Sequence, residues 1–199
     1  MTFYDPRRPV REHVWTVDDF WSAAECAAMI ARAESIGFDE APITTAMGAV
    51  MRKDVRNNER AMFEDHALAS ALFAKARAHA PATLRERHAP PDAPAWRAVG
   101  LNERFRVYRY HVGQRFSPHF DGCFIREDGV EESALTFMIY LDDGCVGGET
   151  AFLDHGVVVT PETGSALFFH HPILHEGRVI ERGVKHVLRS DVMYRRADR

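Results

Sequence analysis

The sequence predicts an α+β fold in which helices pack outside a β-rich core. Two observations support this prediction. Helical patterns of apolar residues lie in the first half of the chain, and short apolar segments separated by turns lie in the second half. A length of 199 residues favours one domain, 1–199, with a helical region over 1–95 and a strand-rich region over 96–199.

Composition excludes several classes of protein. The formal net charge of −4 gives no global basic footprint, so we expect no nucleic-acid partner. No apolar run approaches the ~20 residues of a membrane span, and the first residues have no apolar signal-peptide core, so we expect no membrane contact. Three cysteines without a Cys-x-x-Cys pair indicate reduced thiols and a cytoplasmic location. The sequence leaves the oligomeric state open.

Two helices are predicted in the first half. Ser22 and Glu25 form a capping box at the start of the first helix, and Gly37 ends it. The second helix begins near Glu64 and Asp65. Apolar residues then recur at helical spacing, as Cys26, Met29, Ile30 and Ala33 in the first helix and Leu68, Leu72, Phe73 and Ala76 in the second. Four prolines mark 81–95 as a loop.

The second half contains a series of short predicted strands. Each is rich in β-branched, aromatic or other apolar residues and is bounded by turn residues, a pattern typical of a sandwich or barrel. The predicted strands cover 105–111, 135–141, 150–153, 157–159, 166–169 and 184–193.

The segment 116–121 contains two candidate metal ligands. Side chains alternate along a strand, so His119 and Asp121 share one face. One further histidine would complete the two-histidine, one-carboxylate triad that binds Fe(II) and leaves positions open for a co-substrate and O₂. The downstream candidates are His155, His170, His171, His175 and His186.

His175 is the favoured third ligand. It follows the strand 166–169, and Lys185 comes ten residues later on a new strand. A dicarboxylate held by a metal at one end needs a fixed cation at the other, which Lys185 could supply. Arg189, four residues further on the same face, is the rival anchor.

Six segments between residues 101 and 194 resemble, in the same order, the Fe(II)/2-oxoglutarate-dependent dioxygenases, in particular their prolyl 4-hydroxylase-like branch. They are 110–121 (YHVGQRFSPHFD), 136–141 (TFMIYL), 147–150 (GGET), 164–167 (GSAL), 175–177 (HEG) and 183–185 (GVK). The resemblance implies a double-stranded β-helix (jelly-roll, cupin-like) core, with the N-terminal helices packed on one face. The region 1–95 would then be a buttress and substrate lip, and 96–199 the catalytic core.

The resemblance also implies roles for individual residues. His119, Asp121 and His175 would bind Fe(II) and form the catalytic centre. Lys185 would bind the distal carboxylate of 2-oxoglutarate, and Tyr110 would hydrogen-bond this co-substrate. Thr136 and Tyr140 share a strand face and are further candidates for the pocket wall. Ascorbate, which would rescue oxidised iron, is an additional cofactor candidate.

The implied reaction is hydroxylation of an sp³ carbon, with release of succinate and CO₂. Asp121 favours hydroxylation, because halogenating relatives lose this carboxylate. The leading substrate is a prolyl or other residue in a peptide or protein. Hydroxylation of a free amino acid or small metabolite is one alternative, and a non-catalytic cupin-like module that binds a metal or 2-oxoglutarate is another.

Other polar segments have both a functional and a structural interpretation. The segment 51–60 is rich in arginine and asparagine; Arg56 and Asn58 are its best candidates for binding substrate, and a solvated loop is the alternative. Arginines at 104, 106 and 109 alternate with tyrosines, which we interpret as an exposed strand face rather than a single-stranded nucleic-acid surface. Two further pairs, His170 with His171 and Arg189 with Asp191, either support the site or lie in solvent.

Overall fold

The computed structural model describes residues 3–45 and 48–196. Its two α-helices are α1 (Ala23–Ile36) and α2 (His66–Ala76), and short 3₁₀ turns cover Val10–Glu12 and Leu153–His155. Among the described residues, neither helix combines the length and the apolar composition needed to cross a membrane.

Strands are the predominant regular structure of the described chain. The strands, in chain order, are β1 (Val14–Val17), β2 (Asp39–Glu40), β3 (Ile43–Thr45), β4 (Gly48–Val50), β5 (Glu59–Glu64), β6 (Thr83–Leu84), β7 (Trp96–Leu101), β8 (Arg104–Tyr110), β9 (Phe116–His119), β10 (Glu131–Tyr140), β11 (Val146–Gly147), β12 (Thr150–Phe152), β13 (Val157–Val159), β14 (Ala166–His170), β15 (His175–Gly177), β16 (Ile180–Arg182) and β17 (Lys185–Arg196).

Two antiparallel sheets form the core. The larger has the order β1-β14-β10-β17-β8-β5-β2, with β7 also paired to β17, and the smaller has the order β13-β12-β15-β9. Aromatic contacts join their inner faces: the ring centroids of Phe152 in β12 and Phe169 in β14 lie 5.1 Å apart. The α+β prediction and the implied double-stranded β-helix are therefore confirmed.

Successive side chains of the strands in the large sheet point alternately to its two faces, one covered by the helices and the other facing the small sheet. In β17, Leu188 and Val192 point outward into the main apolar cluster, whereas Lys185, Val187 and Arg189 point inward between the sheets. The outer cluster also contains the buried faces of both helices, including Cys26 and Leu72. The helices thus cover one face of the sheet, as expected.

The helices begin where the sequence predicts. The Ser22 side chain accepts a hydrogen bond from the backbone N–H of Glu25, whose carboxylate accepts one from the Ser22 N–H, so the predicted capping box is present. Asp65 caps α2 by accepting a hydrogen bond from the N–H of Leu68 at 2.9 Å.

The first half of the chain also contributes strands to the large sheet, which the helical interpretation of this region missed. β1 pairs with β14, and β5 pairs with β8. β1 has only four residues, and β5 carries three charged side chains, one of which, Glu59, forms an ion pair with Arg109. Short length and polar composition hide both strands from a search for apolar alternation.

Gly164 allows the chain to turn into β14 beside the start of α1. Its φ of +82° is in the left-handed region, and a Cβ here would lie 2.0 Å from the carbonyl oxygen of Trp21. The Gly164 carbonyl also accepts a hydrogen bond from the Trp21 N–H at 2.9 Å. A side chain at this position would therefore separate the helical layer from the sheet.

We predict that Gly164→Ala lowers the free energy of unfolding by at least about 3 kcal/mol, because backbone strain adds to a steric clash. Gly156→Ala is the matched control. Gly156 is also left-handed, but nothing lies within 4 Å of its Cβ position, so its cost should be only about 1 kcal/mol. Urea unfolding measures both values, and equal losses would contradict the close contact with Trp21.

Candidate active site

Two paired strands of the small sheet bring the candidate metal ligands together. His119 is the last residue of β9 and lies directly opposite His175, the first residue of β15. Asp121 follows β9 and reaches both histidines: its Oδ1 is 3.8 Å from Nε2 of His119, and its Oδ2 is 3.7 Å from Nε2 of His175. One donor atom from each residue lies within 4.8 Å of the others. The predicted triad is therefore spatially compact.

Backbone carbonyls orient both imidazole rings. Nδ1 of His119 donates to the Ser117 carbonyl at 2.8 Å, and Nδ1 of His175 donates to the Ile173 carbonyl at 2.9 Å. A carbonyl oxygen accepts only, so the proton of each neutral ring is on Nδ1. The Nε2 lone pairs consequently point toward Asp121 and are free to bind a metal.

Electrostatics keep the triad in the protonation states that a metal requires. Burial, together with the neighbouring His175, lowers the pKa of His119 to about 3, and burial also lowers the pKa of His175. Burial opposes ionisation of Asp121, but Arg189 and the two histidines outweigh it and hold its pKa well below the usual range. Two neutral imidazoles and one carboxylate thus face each other, a donor set that suits Fe(II).

A buried hydrogen-bond chain holds the Asp121 carboxylate from behind. The Thr136 hydroxyl donates to Oδ2 of Asp121 at 2.6 Å and lies 3.1 Å from Nδ1 of His171, whose Nε2 is 2.8 Å from the Ser133 hydroxyl. Since the Thr136 hydroxyl proton is already donated to Asp121, the hydrogen bond between Thr136 and His171 must be donated by Nδ1 of His171. His171 therefore supports the site. Its neighbour His170 packs against His13 instead.

Lys185 lies at the other end of the same cavity. It is directly opposite Tyr110 in the β8–β17 pairing, and its Nζ lies 5.5 Å from the Tyr110 ring centre and 5.3 Å from that of Tyr140. Its ammonium donates to the Gly148 carbonyl. Burial lowers the pKa of Lys185 to about 8. This end of the cavity thus offers a desolvated cation beside phenol groups.

Tyr110 and Tyr140 occupy different places around Lys185. Tyr110 lines the cavity, and burial raises its pKa to about 12, so its phenol stays protonated. The Tyr140 hydroxyl bonds Oγ1 of Thr150 at 2.7 Å, within the wall. Thr136, proposed for the same wall, contacts Asp121 rather than the cavity surface.

Arg189 occupies the metal end of the cavity. Its Nη1 lies 3.1 Å from Oδ1 of Asp121, and its Nη2 lies 3.3 Å from Oδ1 of Asp191. The Arg189–Asp191 pair is therefore buried next to the triad and is not a surface pair. The two candidate anchors, Lys185 and Arg189, are separated along β17, and of the two it is Lys185 that lies near Tyr110 and Tyr140.

The two substrate candidates from the segment 51–60 lie behind the triad strand. Arg56 forms a β-bridge with Phe116, and its guanidinium lies 4.3 Å from the Phe116 ring centre. Its Nε donates to Oδ1 of Asn58 at 2.7 Å, and both residues are buried. The alternative of a solvated loop is thus wrong for these two residues.

Sequence reasoning missed Tyr108 and Arg106, which were interpreted as parts of an exposed strand face. Tyr108 is buried and lines the cavity, and Arg106 forms an ion pair of 3.9 Å with Asp191. Strand alternation contained the necessary signal, because residues 106, 108 and 110 share one face. If Tyr110 points into the cavity, strand alternation therefore predicts that the side chains of Arg106 and Tyr108 point to the same side of the sheet.

The fold and the site together define a class of protein: a double-stranded β-helix with a metal-binding triad and a buried lysine at the far end of the same cavity. Comparison with known proteins then shows which family this region of the chain is similar to. Residues 105–190 match the family model described as "2OG-Fe(II) oxygenase superfamily". The matched residues make up less than half of the chain. The chain is similar to members of this superfamily, prolyl hydroxylases among them. Members use Fe(II), 2-oxoglutarate and O₂.

Curated relatives share one segment of the chain. The human prolyl 4-hydroxylase subunit alpha-1 is 33% identical over an alignment of 81 residues that covers 37% of this chain and 15% of that protein. The probable prolyl 4-hydroxylase 11 of Arabidopsis thaliana is 39% identical over 74 residues, covering 34% of this chain and 24% of that protein. The chain thus spans less than a third of the length of these relatives.

Solved structures share the fold over most of the chain. A viral collagen prolyl hydroxylase from Paramecium bursaria Chlorella virus-1 has a TM-score of 0.59 at 21% identity, covering 92% of this chain and 96% of that one. A Trichoplax adhaerens prolyl hydroxylase, in complex with a peptide fragment of the hypoxia inducible factor oxygen degradation domain, has a TM-score of 0.63 at 14% identity, covering 91% and 83%.

We predict that His175→Ala weakens Fe(II) binding by more than about 100-fold, since loss of a ligand should exceed the 10- to 100-fold effect of losing a residue that only supports one. His155→Ala is the control, because His155 contacts Tyr4 and lies outside the triad. Anaerobic equilibrium dialysis with Fe(II), and with Mn(II) as a redox-stable substitute, measures both affinities. Unchanged binding in His175→Ala would exclude this histidine as a ligand.

Proposed function

We propose that the protein is an Fe(II)- and 2-oxoglutarate-dependent dioxygenase that hydroxylates an sp³ carbon. The observation that carries this proposal is the single cavity with the triad of His119, Asp121 and His175 at one end and Lys185 at the other. Fe(II) bound with 2-oxoglutarate would supply the activation of O₂ that oxidises a C–H bond, with succinate and CO₂ as co-products.

The chain's own residues would perform four tasks. The triad holds the metal through two imidazole nitrogens and one carboxylate. Lys185 binds the distal carboxylate of 2-oxoglutarate as a charge-assisted pair, and the protonated Tyr110 phenol donates a hydrogen bond to the co-substrate. Met138 and Val187 line the cavity with apolar surface and exclude water.

The proposed substrate is a prolyl or other residue in a peptide or protein, with free amino acids and small metabolites as the second candidate. Similarity to prolyl hydroxylases, one of them solved with a peptide, supports the first candidate. The buried Lys185 favours the oxygenase over a cupin-like binding module, since a metal site alone has no need of a desolvated ammonium. Three free cysteines support our inference of a reducing, cytoplasmic environment.

Absorption spectroscopy provides the primary test of this function. Fe(II) and then 2-oxoglutarate are added anaerobically to metal-free protein. We expect a weak visible charge-transfer band that requires both, because only bidentate 2-oxoglutarate on the metal produces it. Admission of O₂ should then release succinate. Bound iron without the band would contradict the co-substrate assignment and favour the binding-module alternative.

Lys185→Met should raise the concentration of 2-oxoglutarate needed for half-saturation by about 10- to 100-fold, from loss of one charge-assisted pair. Iron affinity should stay within threefold of wild type. Lys75→Met, at an exposed lysine paired with Glu25, is the control. Titration of the charge-transfer band measures the effect. A larger change in Arg189→Met than in Lys185→Met, with iron affinity unchanged in both variants, would identify Arg189 as the anchor.

The pH dependence of co-substrate binding gives a second test of Lys185. Its pKa is lowered to about 8, so the cation is present below this pH and is lost above it. The affinity of the Mn(II)-loaded protein for 2-oxoglutarate should therefore be flat below pH 7.5 and fall by up to about tenfold per pH unit above pH 8. Lys185→Arg should remove this decline, because guanidinium stays charged. A decline that persists in this variant would show that another group titrates.

A further inference from the structure

Three arginines surround Tyr108 at the metal end of the cavity. Arg189 also holds Asp121, but the proposed chemistry of iron and 2-oxoglutarate gives Arg56 and Arg106 no role. The guanidinium of Arg56 lies 4.4 Å from the Tyr108 ring centre and 4.3 Å from that of Phe116. Arg189, on the neighbouring strand β17, lines the same cavity as Tyr108, and Arg106 lies opposite Arg189 in the β8–β17 pairing. We call Arg56, Arg106, Tyr108 and Arg189 the arginine cluster.

Several guanidinium N–H groups of the arginine cluster are not used in hydrogen bonds. Nη2 of Arg56 and Nε of Arg189 are buried and have no hydrogen-bond partner among the residues that the structure describes. Nη1 of Arg106 has no hydrogen bond there either, only the 3.9 Å ion pair with Asp191. Arg56 is only 5% exposed, so water cannot readily satisfy it. Buried donors without partners are costly, and their presence beside a cavity indicates a ligand that satisfies them.

The charge balance indicates that this ligand is an anion. Lys185 and Arg189 line the cavity, whereas Arg56 lies behind it against Tyr108 and Phe116, and Arg106 pairs with Asp191. Among the described residues of this region, these four cations stand against two carboxylates, Asp121 and Asp191. Bound Fe(II) and a 2-oxoglutarate dianion cancel each other's charge, so an excess of positive charge remains after both have bound. Desolvated like charges repel strongly unless an anion joins them. The cations also lower the pKa of the Tyr108 phenol to about 8, against the effect of burial.

The cluster is within reach of the reaction centre. Tyr108, Phe116 and Arg189 line the same cavity as His119 and Asp121. Arg56 is fixed from two sides, by stacking between two aromatic rings and by its Nε bond to Asn58, which leaves Nη2 free. A group bound there would lie beside the metal but away from Lys185.

We propose that the primary substrate carries a carboxylate and that Arg56, with the Tyr108 hydroxyl and Arg189, binds it. This inference rests on the proposed function and adds the substrate class to it. Two sources share this chemistry: the α-carboxylate of a free amino acid, and the side-chain or terminal carboxylate of a peptide. Planar guanidinium groups recognise a carboxylate in preference to a neutral amide.

Matched pairs of probes test the proposal and separate the two sources. The first set contains free L-amino acids, including L-proline, and their carboxamides. The second contains proline peptides blocked at both ends, with Glu or its neutral counterpart Gln beside the proline. Substrate-stimulated release of succinate is measured with the iron-loaded protein. We expect the carboxylate member of the active pair to exceed its neutral partner at least tenfold in kcat/KM, and the active set identifies the source.

Substitutions then locate the binding group. Arg56→Gln should raise the KM of the carboxylate substrate about 10- to 100-fold and abolish the preference over the neutral partner. The KM for 2-oxoglutarate should stay within twofold. The control is Arg52→Gln, at an exposed arginine that lies four residues before Arg56 and is paired with Asp54. It should change neither KM value. Tyr108→Phe keeps the ring under Arg56 and should reduce the preference by severalfold, so it tests the cluster even if Arg56→Gln does not fold.

The outcomes that overturn the inference differ from those that overturn the function. If the charge-transfer band is intact, the inference fails when neutral probes work as well as carboxylates, when no carboxylate probe stimulates turnover, or when Arg56→Gln and Tyr108→Phe leave the preference intact. Absence of the band would overturn the proposed function itself, and the inference would fall with it.

Discussion

The buried charge of Asp121 is the constraint on which the rest of the site depends. An isolated carboxylate with 6% of its side chain exposed would take up a proton and lose its value as a ligand. Here Arg189 supplies an opposite charge at 3.1 Å, and Thr136 donates a hydrogen bond at 2.6 Å. Three strands contribute to this arrangement: β17 carries the arginine, β10 carries the threonine, and the end of β9 positions the aspartate. The sheet architecture is therefore what keeps the ligand ionised.

Much of the core was predictable because its signals are local. The capping box at Ser22 and the apolar strands at 135–141 and 166–169 depend on neighbouring residues, and the structure places elements there. The strands of the first half were not predictable in this way. β5 is stabilised by pairing with β8 and by the Glu59–Arg109 ion pair, contacts that join residues far apart in the sequence. Such strands have little apolar alternation of their own.

The site shows the same division between local and long-range information. Alternation in 116–121 placed His119 and Asp121 on one face. The position of His175 after the strand 166–169, its spacing to Lys185 and the resemblance selected it from five histidines. Neither signal could reveal that Thr136 reaches Asp121 or that Arg56 packs on Phe116, because both contacts depend on how separate strands approach. Tyr108 is a different case: it shares a face with Tyr110, and applying strand alternation to that segment would have located it.

The pairing of β8 with β17 has a consequence for how such a protein can change. Each strand turns one set of side chains toward the apolar core, such as Val107 and Leu188, and the alternate set toward the cavity. The side chains that contact a ligand are thus on the opposite face of the sheet from the side chains that pack in the core, although the two sets alternate along the same two strands. A lineage could exchange side chains at 106 or 108 to accept new molecules, while the packing beneath, Arg189 and the paired histidines of the neighbouring sheet stay as they are.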